Sequence, residues 1–132
     1  MCIRDRYGAV TGRERRCGWL DMVALRYSVM MNGVTALIMM KSDVLNDFEK
    51  LKVAVAYKVD GKETTEFPYE VNGEIVPVYK EFEGWNCNIN GIRNYDQFPT
   101  RLKEYIEFIE KETGVPVKIV SVGPDREETI IR

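Results

Sequence analysis

Lys41, Ser42 and Asp43 close an apolar run, VTALIMM at residues 34–40, and a lysine followed two places later by an aspartate suits the reading of guanine. The carboxylate accepts from both N1–H and the exocyclic amine, while the lysine stem lies along the ring face. Adenine has an acceptor where guanine has N1–H, so it would leave the aspartate unpaired and be rejected. Alone, Lys-x-Asp is a common tripeptide, and a solvated turn capping the next element is its plainer reading. A second set stands at residues 8–16, GAVTGRERR, with two glycines, Thr11 and three arginines. Glycine lets backbone N–H groups approach a ligand, and the Thr11 hydroxyl adds a donor, so the segment suits a carboxylate or phosphate. In an extended loop Arg13 and Arg15 point to opposite sides and can hold two different anions. The alternative is a solvated basic turn, with Glu14 as the local partner, or a phosphate-backbone patch.

Both sets need elements to position them. A short run that is hydrophobic throughout predicts a strand covered on both faces, as in a parallel sheet with helices above and below. In such sheets ligands sit beyond the carboxyl ends of the strands. Before the strand the spacing predicts a helix from Leu20, capped by Asp21 and ended by Asn32 and Gly33, with Val23, Tyr27, Met30 and Met31 as its inward stripe. Those methionines, with Met39 and Met40, read as core filling. After a turn or short helical segment at 44–50, LKVAVAYKV at 51–59 alternates, with Leu51, Val53, Val55, Tyr57 and Val59 on one face. Asp60 and Gly61 give a hairpin turn.

A further strand is expected at 74–81, and Trp85 reads as a plug beneath a long loop beside the turn-forming Asn86, Asn88 and Asn90. Thr100 opens the clearest helix, with Leu102, Tyr105, Ile106 and Ile109 in one stripe, ended by Gly114. A second apolar strand is expected at 117–122, stopping at Gly123 and Pro124, and a terminal strand covers 128–131. Helix, strand and loop therefore occur twice. If the two strands lie parallel in one sheet, the loops at 41–43 and 121–123 share its edge and a planar base fits between them.

The bulk numbers bound the function. With 132 residues and 45% hydrophobic content the chain can bury one core. A net charge of -2 gives no general attraction to nucleic acid or anionic lipid. No apolar run is long enough to cross a bilayer, and Arg4, Asp5 and Arg6 stand where a leader would need apolar residues. Cys2, Cys17 and Cys87 lack paired ligand spacing and there is no histidine, so no zinc site is expected, and reduced thiols indicate a cytoplasmic protein. The missing histidine also removes the commonest acid–base group. No loop ending in Gly-Lys-Ser/Thr is present, so a nucleotide bound here has its base held and its phosphates largely unattended. MCIRDR at 1–6 fits poorly with the rest of the chain. It reads as translated sequencing-adapter sequence and is set aside, which leaves 7–132.

From residue 7 onward the chain resembles the carboxy-terminal part of the adenylosuccinate synthetase family. The resemblance rests on GAVTGRERRCGWLD at 8–21, KSDVL at 41–45, the Gly84–Trp85 pair, TGVPV at 113–117 and SVGPDREETI at 121–130. It implies an α/β fold, part of a mostly parallel sheet with packed helices plus an antiparallel hairpin region. It also implies a ligase that joins IMP to L-aspartate with GTP and Mg2+ in purine nucleotide synthesis, as a homodimer. By resemblance, the loop Ala9, Val10, Thr11, Gly12, Arg13, Glu14 and Arg15 closes on the aspartate substrate. Arg13 also reaches IMP and Arg15 the GTP phosphates. Lys41, Ser42 and Asp43 hold the guanine, with Ser121, Val122 and Gly123 on its other side. Ser42, often leucine in the family, and Val122, often threonine, depart from the usual spelling. The family's general-base aspartate, its phosphoryl-directed histidine, its Mg2+ ligands and its phosphate loop belong to the amino-terminal part. The chain is therefore expected to be a fragment without catalytic or metal-binding residues of its own. A GTPase-like regulatory domain is disfavoured by the missing phosphate loop, and a non-catalytic guanine-nucleotide-binding module stays open.

Overall fold

A computed structural model describes residues 6–7, 12–15, 17–70 and 74–132. A small antiparallel pair, β1 (Arg6–Tyr7) and β2 (Glu14–Arg15), frames the arginine-bearing segment. β3 (Leu20–Asp21) then leads into α1 (Met22–Asn32). Asp21 caps this helix, its side chain accepting from Ala24 N at 3.0 Å, and Gly33 ends it in the left-handed conformation.

The largest sheet is built on β5 (Lys50–Val59). This strand pairs in parallel with β3 and antiparallel with β6 (Lys62–Thr64) and β7 (Ile75–Glu83). Asp60 and Gly61, both at positive φ, make the expected tight turn between β5 and β6. The simple alternation expected along β5 fails in the middle. A register shift between Ala54 and Ala56 puts both alanines in the core and leaves Val55 only half-buried.

The second sheet is β4 (Leu37–Met39), β8 (Val117–Ser121) and β9 (Thr129–Ile131) in that order. β4 and β8 run parallel, and β9 is antiparallel to β8. α2 (Thr100–Thr113) buries the expected stripe of Leu102, Tyr105, Ile106 and Ile109, and Gly114 caps its end. Its Glu110 accepts from Val117 N at 2.7 Å and from Arg132 at 2.6 Å, tying the helix to the start of β8 and to the chain's last residue. Trp85 lies in the core, 7% exposed, with its indole N–H donating to Asn46 Oδ1 at 3.2 Å.

Two expectations are corrected. The strand expected at 34–40 shrinks to three residues and is not covered on both faces, since Ile38 is 60% exposed. The methionine stripe of α1 is outside as well: Met30 and Met31 face solvent, while Met22 and Val23 are buried. The helix docks by its first turn, where Asp21 and β3 fix it to β5, so the core claims that end and leaves the later apolar residues uncovered.

Candidate functional site

β4 and β8 are adjacent and parallel, so their carboxyl ends open on the same rim of the sheet. After β4, Lys41 takes a left-handed backbone (φ 58°) and leads at once into a 3-10 turn, Ser42–Leu45. Val44 N donates to Lys41 O and Asn46 N to Asp43 O, holding the turn. A non-glycine residue at positive φ is sparsely populated backbone, of the kind that concentrates at binding sites. After β8, the Ser121 hydroxyl donates to Gly123 O at 2.9 Å and Val122 N to Glu128 O at 2.8 Å.

The two turns meet. Lys41 and Asp43 from one, Ser121 and Gly123 from the other, line a single cavity of about 520 Å³, a volume in the range of small-molecule sites. It offers a carboxylate acceptor, an ammonium group and strand-end backbone.

Ser42 and Val122 are turned away from it. Val122 is fully buried in the core. Ser42 is 1% exposed and lines a second, mostly apolar cavity of about 380 Å³ beside Trp19, Leu37 and Met39. Its hydroxyl has no hydrogen-bond partner among the described residues.

The wall of the first cavity also contains Ile38, Met40 and Ile119, together with Asp125 and Arg126, none of which the sequence singled out as site residues. A signal for the last pair was present in Asp-x-x-Glu at 125–128. There Asp125 caps a 3-10 turn and the Glu128 carboxylate accepts from Asp125 N at 3.1 Å, a reciprocal capping box. A side chain at Gly123 would push that carboxylate off Asp125, which accounts for the glycine.

In the arginine-bearing segment Gly12 (φ 62°) and Arg13 are exposed and are not among the residues that line this cavity. Glu14 and Arg15 pair through their backbones with Tyr7 and Arg6. Ala9, Val10 and Thr11 lie outside the described residues. Downstream, Asp21 holds the root of the segment, accepting from the Tyr57 hydroxyl on β5. Burial first, and then this carboxylate, raise the Tyr57 phenol above its ordinary range. Among the described residues no three carboxylate, thiol or imidazole groups converge to hold a metal ion.

Residues 3–130 match the family model for adenylosuccinate synthetase. The chain belongs to the adenylosuccinate synthetase family. Curated synthetase relatives include that of Parabacteroides distasonis, 61% identical over 126 residues, and that of Flavobacterium johnsoniae, 58% identical over 131. The matches cover 96% and 98% of this chain but only 30% and 31% of those synthetases, so the chain spans less than a third of their length. Among solved structures, a fully ligated adenylosuccinate synthetase from Plasmodium falciparum superposes with a TM-score of 0.89 at 35% identity. That match covers 96% of this chain and 31% of the other. The α/β fold class implied by the synthetase resemblance thus holds.

Proposed function

We propose that the chain is the guanine-reading and aspartate-gripping part of an adenylosuccinate synthetase. That enzyme joins IMP to L-aspartate at the expense of GTP, giving adenylosuccinate, GDP and phosphate in purine nucleotide synthesis. The observation that carries this reading is the convergence of Lys41 and Asp43 with Ser121 and Gly123 on one cavity beyond two parallel strand ends. Asp43 accepts from guanine N1–H and N2, the Lys41 stem covers the ring, and the backbone at Ser121, Val122 and Gly123 closes the other side.

The loop Ala9, Val10, Thr11, Gly12, Arg13, Glu14 and Arg15 closes on aspartate, with Arg13 also reaching IMP and Arg15 the GTP phosphates. These arginines act electrostatically, gathering anionic ligands and offsetting charge as GTP phosphorylates the 6-oxygen of IMP and the aspartate amine displaces that phosphate. The acid–base groups and the Mg2+ ligands come from the part of the synthetase that this chain does not span. The division at Tyr7 from six foreign residues, the homodimeric state and the cytoplasmic location are read from sequence and resemblance alone.

The test uses a chimera in which this chain replaces the matching segment of the Parabacteroides distasonis synthetase. The chimera should make adenylosuccinate with GTP, and the isolated chain should not. In the chimera, Asp43→Asn should lower kcat/KM for GTP by about 100-fold, since one bidentate charged contact is lost. It should also turn preference toward xanthosine triphosphate, whose 2-carbonyl accepts from the new amide. Unchanged nucleotide preference would remove the guanine-reading role.

A further inference from the structure

Asn46 closes the turn that carries Asp43, and its side chain ties that turn to a distant segment. Its backbone N–H donates to Asp43 O at 3.1 Å, at the end of the 3-10 turn. The side-chain amide is then used at both ends. Oδ1 accepts from the Trp85 indole N–H at 3.2 Å, while Nδ2 donates to Asn90 Oδ1 at 3.1 Å and to Asn88 Oδ1 at 3.3 Å. An amide suits these contacts, since a carboxylate has no donor, an ammonium no acceptor and a hydroxyl a single proton. The partners are themselves fixed. Trp85 is buried edge-on to Tyr105 of α2, with ring centroids 6.2 Å apart. Ile89, between the two asparagines, is fully buried and pins their segment to the core. Asn90 N donates to Asn88 Oδ1 at 3.0 Å, which fixes that oxygen as an acceptor.

Asn46 lines neither cavity at the strand ends, so it can act on a ligand there only through Asp43. A single 3-10 turn has poor hydrogen-bond geometry and little stability of its own. Lys41, which leads into it, holds a left-handed backbone that costs free energy. Packing and bonds from outside must keep the turn in one form, and the Asn46 amide supplies such bonds to residues 39 to 44 places away. We propose that Asn46 is a positioning residue for base recognition. Clamped between Trp85 and the Asn88–Asn90 pair, it holds residues 42–45 in the form that brings Asp43 to the cavity wall. This role rests on the guanine-reading one proposed for Asp43. A carboxylate that accepts from two donors on one base edge needs its place and its angle fixed together, and a turn ordered beforehand need not be ordered on binding.

The experiment uses the synthetase chimera and measures KM separately for GTP, IMP and aspartate. Without its clamp the turn should hold the binding form about a tenth of the time, so Asn46→Ala should raise KM for GTP about tenfold. KM for IMP and for aspartate should move by less than about twofold. In an Asp43→Ala background, where no carboxylate is left to aim, Asn46→Ala should add less than about twofold to KM for GTP. A residue with only a structural role would lower Tm without this pattern. Trp85→Phe removes one donor and keeps a ring in the core; it should raise KM for GTP about threefold with the same split between substrates, and it decides the matter if Asn46→Ala does not fold. An unchanged KM for GTP in the folded variant, an equal rise in both backgrounds, or an equal rise for all three substrates would overturn the proposal. If Asp43→Ala itself leaves KM for GTP unchanged, the guanine-reading role falls and the positioning role with it. An Asp43 effect without an Asn46 effect overturns the positioning role alone.

Discussion

Glu110 is the place where one substitution should loosen β8 from behind. Its carboxylate accepts from Val117 N at 2.7 Å and from Arg132 Nη1 at 2.6 Å, and the same guanidinium donates to Val117 O at 3.0 Å and lies 4.1 Å from the Tyr95 ring centroid. Val117 opens β8 and is 2% exposed, so Glu110→Ala leaves a buried backbone donor without its acceptor. A hydrogen bond to a charged group contributes about 1.5–3 kcal/mol. The pair with Arg132, whose side chains are 22% and 23% exposed, adds about 1 kcal/mol at most. The better helix propensity of alanine returns a few tenths of a kcal/mol. The expected loss is about 3 kcal/mol, or about 10 °C in Tm for a chain of this size. Arg132→Ala removes the ion pair, the bond to Val117 O and the ring contact but leaves Val117 N bonded to Glu110, and should cost about 1–2 kcal/mol. Urea titration of the parent, both single variants and the double variant gives the comparison, with a coupling of about 1 kcal/mol expected from the cycle. A Glu110→Ala loss under 1 kcal/mol, or an equal loss for Arg132→Ala, would refute the view that the backbone donor dominates.

Ser42→Ala removes a buried hydroxyl that lacks a partner among the described residues and should raise stability by about 1 kcal/mol in urea; a loss of that size would mean the hydroxyl is bonded. Tyr57 should make the chain alkali-sensitive. Its folded pKa is raised, so the unfolded state loses the phenolic proton first; the stabilisation is whole below about pH 10 and falls as pH rises beyond it. Tyr57→Phe should flatten that decline by about 1.4 kcal/mol per pH unit, leaving the shares from Tyr105 and Tyr95, whose phenols burial likewise raises. Equal alkaline slopes for the two proteins would contradict the assignment.

Where local rules and tertiary packing agree, the sequence was readable. Asp21, Gly33, Asp60–Gly61 and Gly114 act as caps and turns where their chemistry places them, and α2 buries the stripe its period implies. The convergence of Lys41, Asp43, Ser121 and Gly123 on one cavity was legible at the level of strand ends, because they needed only two parallel strands to meet. Orientation within the turn was not. Nothing in KSD says that Lys41 adopts a left-handed backbone and so sends Ser42 inward while its neighbours line the cavity. The register shift in β5 and the exposure of Met30, Met31 and Met40 escaped for a related reason. Periodicity states which residues share a face, and the surrounding layers decide whether that face is inside.

Gly84 donates its N–H to Glu49 O at 2.8 Å and lies so near the Phe48 carbonyl that a methyl group there would overlap the oxygen. Phe48 N in turn donates to Leu45 O, the last residue of the turn that carries Asp43. Main-chain bonds thus tie the turn that carries Asp43 to the end of β7, beside the side-chain bond from Trp85 to Asn46. An alanine at position 84 would therefore press on the Phe48 carbonyl and, through the Phe48–Leu45 bond, on the turn that carries Asp43.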